Sequence, residues 1–108
     1  MNGKDVFTYK FENGWSVEGE SFDALTFNFG KLTARDSLAA EAELRGAGVN
    51  MVVPKFSGEY LIRIAARACE TKRADGRRLG SDVFMSLPLA AFSVIRSETR
   101  SFLLRAGS

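Results

Sequence analysis

The sequence predicts an α+β domain: a three-stranded antiparallel β-meander over about residues 5–30, followed by three α-helices packed on one of its faces. Three observations carry this expectation. Seven of the twelve aromatic residues lie in the first 29 positions, an enrichment that favours strands. Phe7, Tyr9, Phe11, Trp15, Val17, Leu25, Phe27 and Phe29 all stand at odd positions, the period of two that gives a strand one buried and one wet face. From Thr33 onward the apolar spacing lengthens to that of helices.

The turns must preserve the odd phase. A two-residue hairpin over Asn13-Gly14 would set Phe11 against Ser16 and split the aromatic stripe between two faces. A three-residue loop, Glu12-Asn13-Gly14, pairs Phe11 with Trp15 and Tyr9 with Val17, and puts Gly14 where a left-handed residue is needed. A second turn is expected near Glu18-Gly19-Glu20-Ser21. Phe22 is out of phase with Leu25 and is assigned to that turn or to a bulge.

The first helix, about 34–45, opens on Thr33-Ala34-Arg35-Asp36. There the Thr33 hydroxyl can accept from the Asp36 N–H, and the Asp36 carboxylate suits the positive helix end. Gly46 and Gly48 stop it. The second helix, about 58–71, follows Ser57. It directs Tyr60, Leu61, Ile64, Ala65 and Ala68 to the core, with Arg63, Arg67 and Glu70 on the opposite side. The third, about 88–104, starts near Pro88, whose missing N–H costs nothing in a first turn, and carries Leu89, Phe92, Ile95, Phe102 and Leu103 at helical spacing.

Length and composition bound the function. The 108 residues, 45% hydrophobic and 26% charged, make one soluble domain spanning 1–108. A fold of this size builds a core without disulfides or a structural metal. The net charge of +2 falls short of the excess expected of a dedicated nucleic-acid binder. Residues 1–30 carry a net −3 and residues 61–108 a net +5, so the two ends are charged oppositely. There is no histidine, which removes the commonest general base and the commonest metal ligand, and the single Cys69 has no histidine to activate it. No catalytic residues, cofactor or metal ligands are expected. Asp36, Glu41 and Glu43 form no acid pair on a helix, and Gly46-Ala47-Gly48 follows a helix where a phosphate loop would precede one. The start of the chain lacks a basic-then-apolar signal segment, and no apolar run reaches the roughly 20 residues that span a bilayer; a cytoplasmic protein is expected.

An acidic aromatic hairpin, a Leu-Thr-Ala-Arg-Asp helix start and two further helices, in that order, resemble the small tail assembly chaperones of Mu-like long-tailed phages. The resemblance is carried by Trp15 through Asp36, with Glu18-Gly19-Glu20 leading to Leu25-Thr26-Phe27 and Leu32-Thr33-Ala34-Arg35-Asp36. It resumes at Leu87-Pro88-Leu89, Phe92, Ile95 and Phe102-Leu103, and in all spans about residues 14–104. The leading strand Val6 to Phe11 and the Arg-rich loop after the second helix depart from the family pattern. The resemblance implies a non-catalytic helper of virion assembly in the host cytoplasm. Such a helper keeps a long helical tape measure protein soluble, recruits tail tube subunits to it, and in many relatives exists as short and frameshifted long forms. Other readings are a minor structural or adaptor subunit of the tail and, after it, a small nucleic-acid-binding regulator.

Partner-binding candidates follow from exposed apolar and basic groups. Met51-Val52-Val53, with Val49 before and Phe56 after, is an apolar run in a stretch bounded by Gly48 and Pro54 that reads as a buried edge strand or loop, or, more sharply, as a client patch through Met51, Val53 and Phe56. Leu103 and Leu104 can extend a seam at the end of the last helix, where Phe92, Ile95 and Phe102 read as core. Arg73, Arg77 and Arg78 belong to the one basic cluster. Without interleaved aromatics this cluster suits an acidic partner, or self-association against the acidic hairpin, better than nucleic acid.

Overall fold

The computed structural model describes residues 5–48 and 57–106. Strands β1 (Val6–Val17) and β2 (Glu20–Asn28) form an antiparallel hairpin, followed by a 3-10 turn (Phe29–Lys31) and helices α1 (Ala34–Gly46), α2 (Gly58–Ala68), α3 (Ser81–Phe84) and α4 (Leu89–Ala106). The α+β class stands, but the sheet has two strands where three are expected.

The first two expected strands are one. Pairing runs from Val6↔Asn28 to Lys10↔Ala24 and resumes at Trp15↔Phe22, so Phe11 to Gly14 form a bulge opposite Asp23. Gly14 takes the left-handed conformation (φ 74°) within that bulge and does not reverse the chain. Reversal comes at Glu18 (φ 50°) and Gly19 (φ 85°), two successive left-handed residues whose twist matches that of the flanking strands. Phe11 and Trp15 still stack, with ring centroids 5.6 Å apart, because the bulge returns both to the same face. Phe22 is a ladder residue opposite Trp15 and is buried, which corrects its assignment to a turn. The wet face carries the cross-strand hydroxyl pairs Thr8 with Thr26 (3.0 Å) and Ser16 with Ser21 (2.9 Å).

On the outer side of β2, the chain leaving α2 takes the place of a third strand. Phe27 bridges Cys69, the Glu70 N–H donates to the Thr26 carbonyl (2.7 Å), and the Thr26 N–H donates to the Thr71 hydroxyl (3.0 Å).

The core joins the hairpin's aromatic face to α2, α3 and α4. Leu25, Phe27, Phe29, Ile62, Phe84 and Ile95 are essentially fully buried in it. A second cluster, Ala40, Leu44, Tyr60 and Ile64, joins α1 to the far side of α2. The helices therefore do not share one sheet face: α1 covers α2, and every residue of α2 from Tyr60 to Ala66 is buried. Arg63 and Arg67, expected on the side away from the core, are therefore covered as well. Their side chains are 10% and 23% exposed because α1 lies over them and supplies carboxylates. Glu70 is exposed, 3.6 Å from Lys31.

Helix ends follow local chemistry. The Thr33 N–H and hydroxyl both donate to Asp36 Oδ2, at 2.9 and 3.3 Å. The Ser57 hydroxyl accepts from the Tyr60 N–H at 3.2 Å. Short helix α3, which carries no helical stretch long enough to be read from sequence, buries Val83 and Phe84.

Two predictions arise from the interior. Cys69 is 3% exposed, and burial pushes its thiol pKa above the ordinary 9.0. A thiol reagent should therefore label it only at the rate of opening or unfolding, collapsing to rapid labelling in denaturant; fast labelling of the native protein would contradict this placement. Asp36 is the second case. Burial acts to raise its pKa, but the Thr33 backbone hydrogen bond and the Arg67 guanidinium, 2.7 Å away, together outweigh burial and bring it below the ordinary 3.8. A carboxyl with a depressed folded-state pKa contributes stability that is fully present above the unfolded value and lost as pH falls through the folded one. The stability difference between the protein and Asp36→Asn, measured by urea titration, should thus shrink as pH falls below about 4. A difference independent of pH across that range would remove the ion pair from the account.

Candidate functional site

Two features of the helical layer are open to a partner. The first is an apolar groove of about 230 Å³ lined by Ile62 of α2, Phe84 of α3, Met85 and Leu87 of the following turn, and Leu89 and Phe92 of α4. The turn creates it. The Met85 N–H donates to Ser81 and Asp82 carbonyls, the Leu87 N–H to the Phe84 carbonyl, and the Phe92 N–H to the Pro88 carbonyl. This chain of bonds ends α3 and starts α4 within four residues, which opens a notch above Ile62 that neither helix fills. Leu87 points in and is buried, whereas Met85 and Leu89 are 50% and 77% exposed on the rim. Arg96 lies over the Phe92 ring, 5.9 Å from its centroid, and adds a cation to one side of the opening.

The second is a charged seam between α1, α2 and the loop before α3. Arg67 Nε donates to Asp36 Oδ1 (2.7 Å), and Arg63 Nη1 to Glu59 Oε1 (2.5 Å) and the Glu59 carbonyl (3.2 Å). Glu43 lies between the two guanidiniums, 3.5 Å from Arg63 Nε and 3.9 Å from Arg67 Nη1.

The sequence-derived candidates fall in different places. Met51, Val53 and Phe56 lie outside the described residues. Leu103 is half-buried against the α1–α2 cluster, and Leu104, 48% exposed, sits at the opposite end of α4 from the groove. Arg73 turns inward. Its Nη1 meets Glu18 Oε1 (2.7 Å) and its Nε meets Glu20 Oε1 (2.9 Å), with the side chain 11% exposed. The Ala74 N–H adds a bond to Glu20 Oε2 (2.7 Å). The acidic hairpin and the basic loop thus meet within one chain, and the pairing steadies Glu18 in its left-handed turn position. Arg77 is exposed and paired with Asp75 (2.6 Å). Arg78 is exposed at the mouth of the charged seam, its Nη2 3.4 Å from the Ala66 carbonyl. Of the five candidates among the described residues, none lines the groove. Its rim residues Met85 and Leu89 carried one sequence signal, the apolar alternation Met85, Leu87, Leu89 across a proline.

Among the described residues, no group of three Cys, Asp or Glu side chains is placed to hold a metal, and no helix is long and apolar enough to cross a membrane. Compared with protein-family models, curated proteins and solved structures, the chain matches none.

Proposed function

We propose that this protein is a phage or prophage tail assembly chaperone, a non-catalytic binder that holds the apolar face of a tape measure helix in the host cytoplasm and brings tail tube subunits to it. The observation that carries the binding role is the groove bounded by Ile62, Phe84, Met85, Leu87, Leu89 and Phe92, with two large apolar side chains left on its rim. An amphipathic helix presents anchors at successive turns along one face, the geometry that a short apolar notch between helices receives. Each fully buried anchor contributes about 1.5–3 kcal/mol, so two or three give reversible holding. Reversibility suits a helper that must release its client. The tail assignment rests on the resemblance of residues 14–104 to that family.

Co-expression with the tape measure protein of the same phage or prophage tests the proposal. The client should move from the insoluble to the soluble fraction and co-purify with this chain, and the chain should be missing from finished tails. Stoichiometric presence in mature particles would replace the chaperone with a structural subunit. A client left insoluble would remove the role altogether.

A further inference from the structure

The charged seam encloses a recess of about 140 Å³ between α1, α2 and the loop before α3, lined by Glu43, Arg63, Arg67, Arg78, Gly80 and Ser81 among others. We infer that this recess is a binding site for a carboxylate, in which Glu43 stands as a displaceable internal occupant. Arg63 is 9% exposed, and its Nε is a buried donor with no hydrogen-bond partner among the described residues. Glu43 Oε1 is 3.5 Å away, near enough for an ion pair but not aligned as an acceptor. An unsatisfied buried donor is costly, so a better-placed acceptor gains what Glu43 leaves unclaimed.

The rest of the recess agrees. Arg67 Nη1 is 3.9 Å from Glu43 Oε2, beyond hydrogen-bond length, while its Nε is taken by Asp36 on the other side. Arg78 forms no ion pair among the described residues; its Nη2 donates one long hydrogen bond, to the Ala66 carbonyl at 3.4 Å. Among the described residues, the hydrogen bond that the Glu43 side chain accepts in the recess comes from the Ser81 hydroxyl, at 3.0 Å. Its side chain is 39% exposed, so it can swing to solvent, giving up the Ser81 bond and the two long ion contacts. Asp36 and Glu59 neutralise the outer sides of Arg67 and Arg63. With Glu43 turned out, the charge left facing the recess is that of Arg78 together with the unused donors of Arg63 and Arg67, which one carboxylate balances.

The ligand is either a free small carboxylate or an acidic side chain of a polypeptide, and the two are separable. Acetate and a short blocked peptide with one glutamate are titrated, at constant ionic strength set with chloride, into the protein, into Glu43→Ala and into Arg78→Gln, following the Arg63 Nε–H resonance. Removing the internal competitor should strengthen binding of at least one probe by about tenfold, because the competent open state is no longer a minor population. Arg78→Gln, a surface change that leaves the buried network intact, should weaken it by about tenfold through loss of a charge-assisted contact. Stronger binding of the peptide than of acetate would assign a polypeptide source, and equal binding a small molecule. Glu43→Ala binding no tighter than the protein itself would overturn the site. So would an Arg63 Nε–H signal that stays fixed, or a response to inorganic phosphate with both carboxylates inert.

Discussion

Replacing Phe27 by alanine is expected to cost about 3–5 kcal/mol of stability, a large share of the roughly 5–15 kcal/mol that holds a domain of this kind together. Phe27 is fully buried where the hairpin meets the helices. Its ring lies 6.4 Å from Phe7, 6.0 Å from Phe29 and 6.1 Å from Phe84, centroid to centroid. Phe29 passes the contact on to Phe102 of α4 at 5.4 Å. Removing the ring therefore opens a cavity that no single neighbour can fill, since each is held by a different element. Its backbone also carries the bridge to Cys69, which fixes the segment after α2 to β2. The measurement is a urea titration followed by Trp15, the sole tryptophan and itself buried, with Phe7→Ala as the comparison. Phe7 is only partly buried at the edge of the same stack, so its loss should cost clearly less. Equal costs, or a Phe27→Ala cost under about 1 kcal/mol, would mean that the hairpin and helices do not share one core.

Periodic segments were legible and contact-dependent ones were not. The odd-numbered aromatics reach the core or pack against it, because a period of two dictates facing whatever the strand count. Helices α1 and α2 start where Thr33 and Ser57 stand as N-caps, and α4 starts one residue after Pro88. The third strand failed because a left-handed glycine serves a bulge as well as it serves a turn. What selects the bulge at Gly14 is that Lys10 and Trp15, on either side of it, both pair with the same strand, at Ala24 and Phe22 of β2. The burial of Arg67 and Arg73 escaped because their partners stand far along the chain: Asp36 and Glu43 on α1, Glu18 and Glu20 on the hairpin tip. The groove escaped for a related reason. Leu89 and Phe92 lie on a helix whose apolar stripe reads as core, and nothing local says that α3 ends early enough to leave the first turn of that stripe uncovered.

If the groove is the client site, Leu89→Asp should abolish holding of the tape measure helix while leaving the fold as stable as before. At 77% exposed, Leu89 has little apolar contact to lose. A carboxylate in the first turn of α4 meets the positive end of the helix dipole, so the stability change should stay within about 0.5 kcal/mol. In the complex the same carboxylate would be desolvated against an apolar face, with Arg96 engaged over the Phe92 ring on one side of the opening. That desolvation and the lost anchor together cost about 3 kcal/mol or more, which is a loss of over a hundredfold in affinity. Met85→Asp, at a half-exposed rim position, should act in the same direction, and the pair together should leave no measurable binding. The control is Leu38→Asp on α1, where a leucine 62% exposed stands apart from the groove. Surface hydrophobicity is lowered equally there, so a client held by general stickiness would be lost from all three variants, whereas a client seated in the groove is lost from Leu89→Asp and Met85→Asp alone. Soluble client yield on co-expression, read beside the urea midpoint of each variant, separates a broken site from a broken fold. Full holding by Leu89→Asp would show that the groove is not where the client sits.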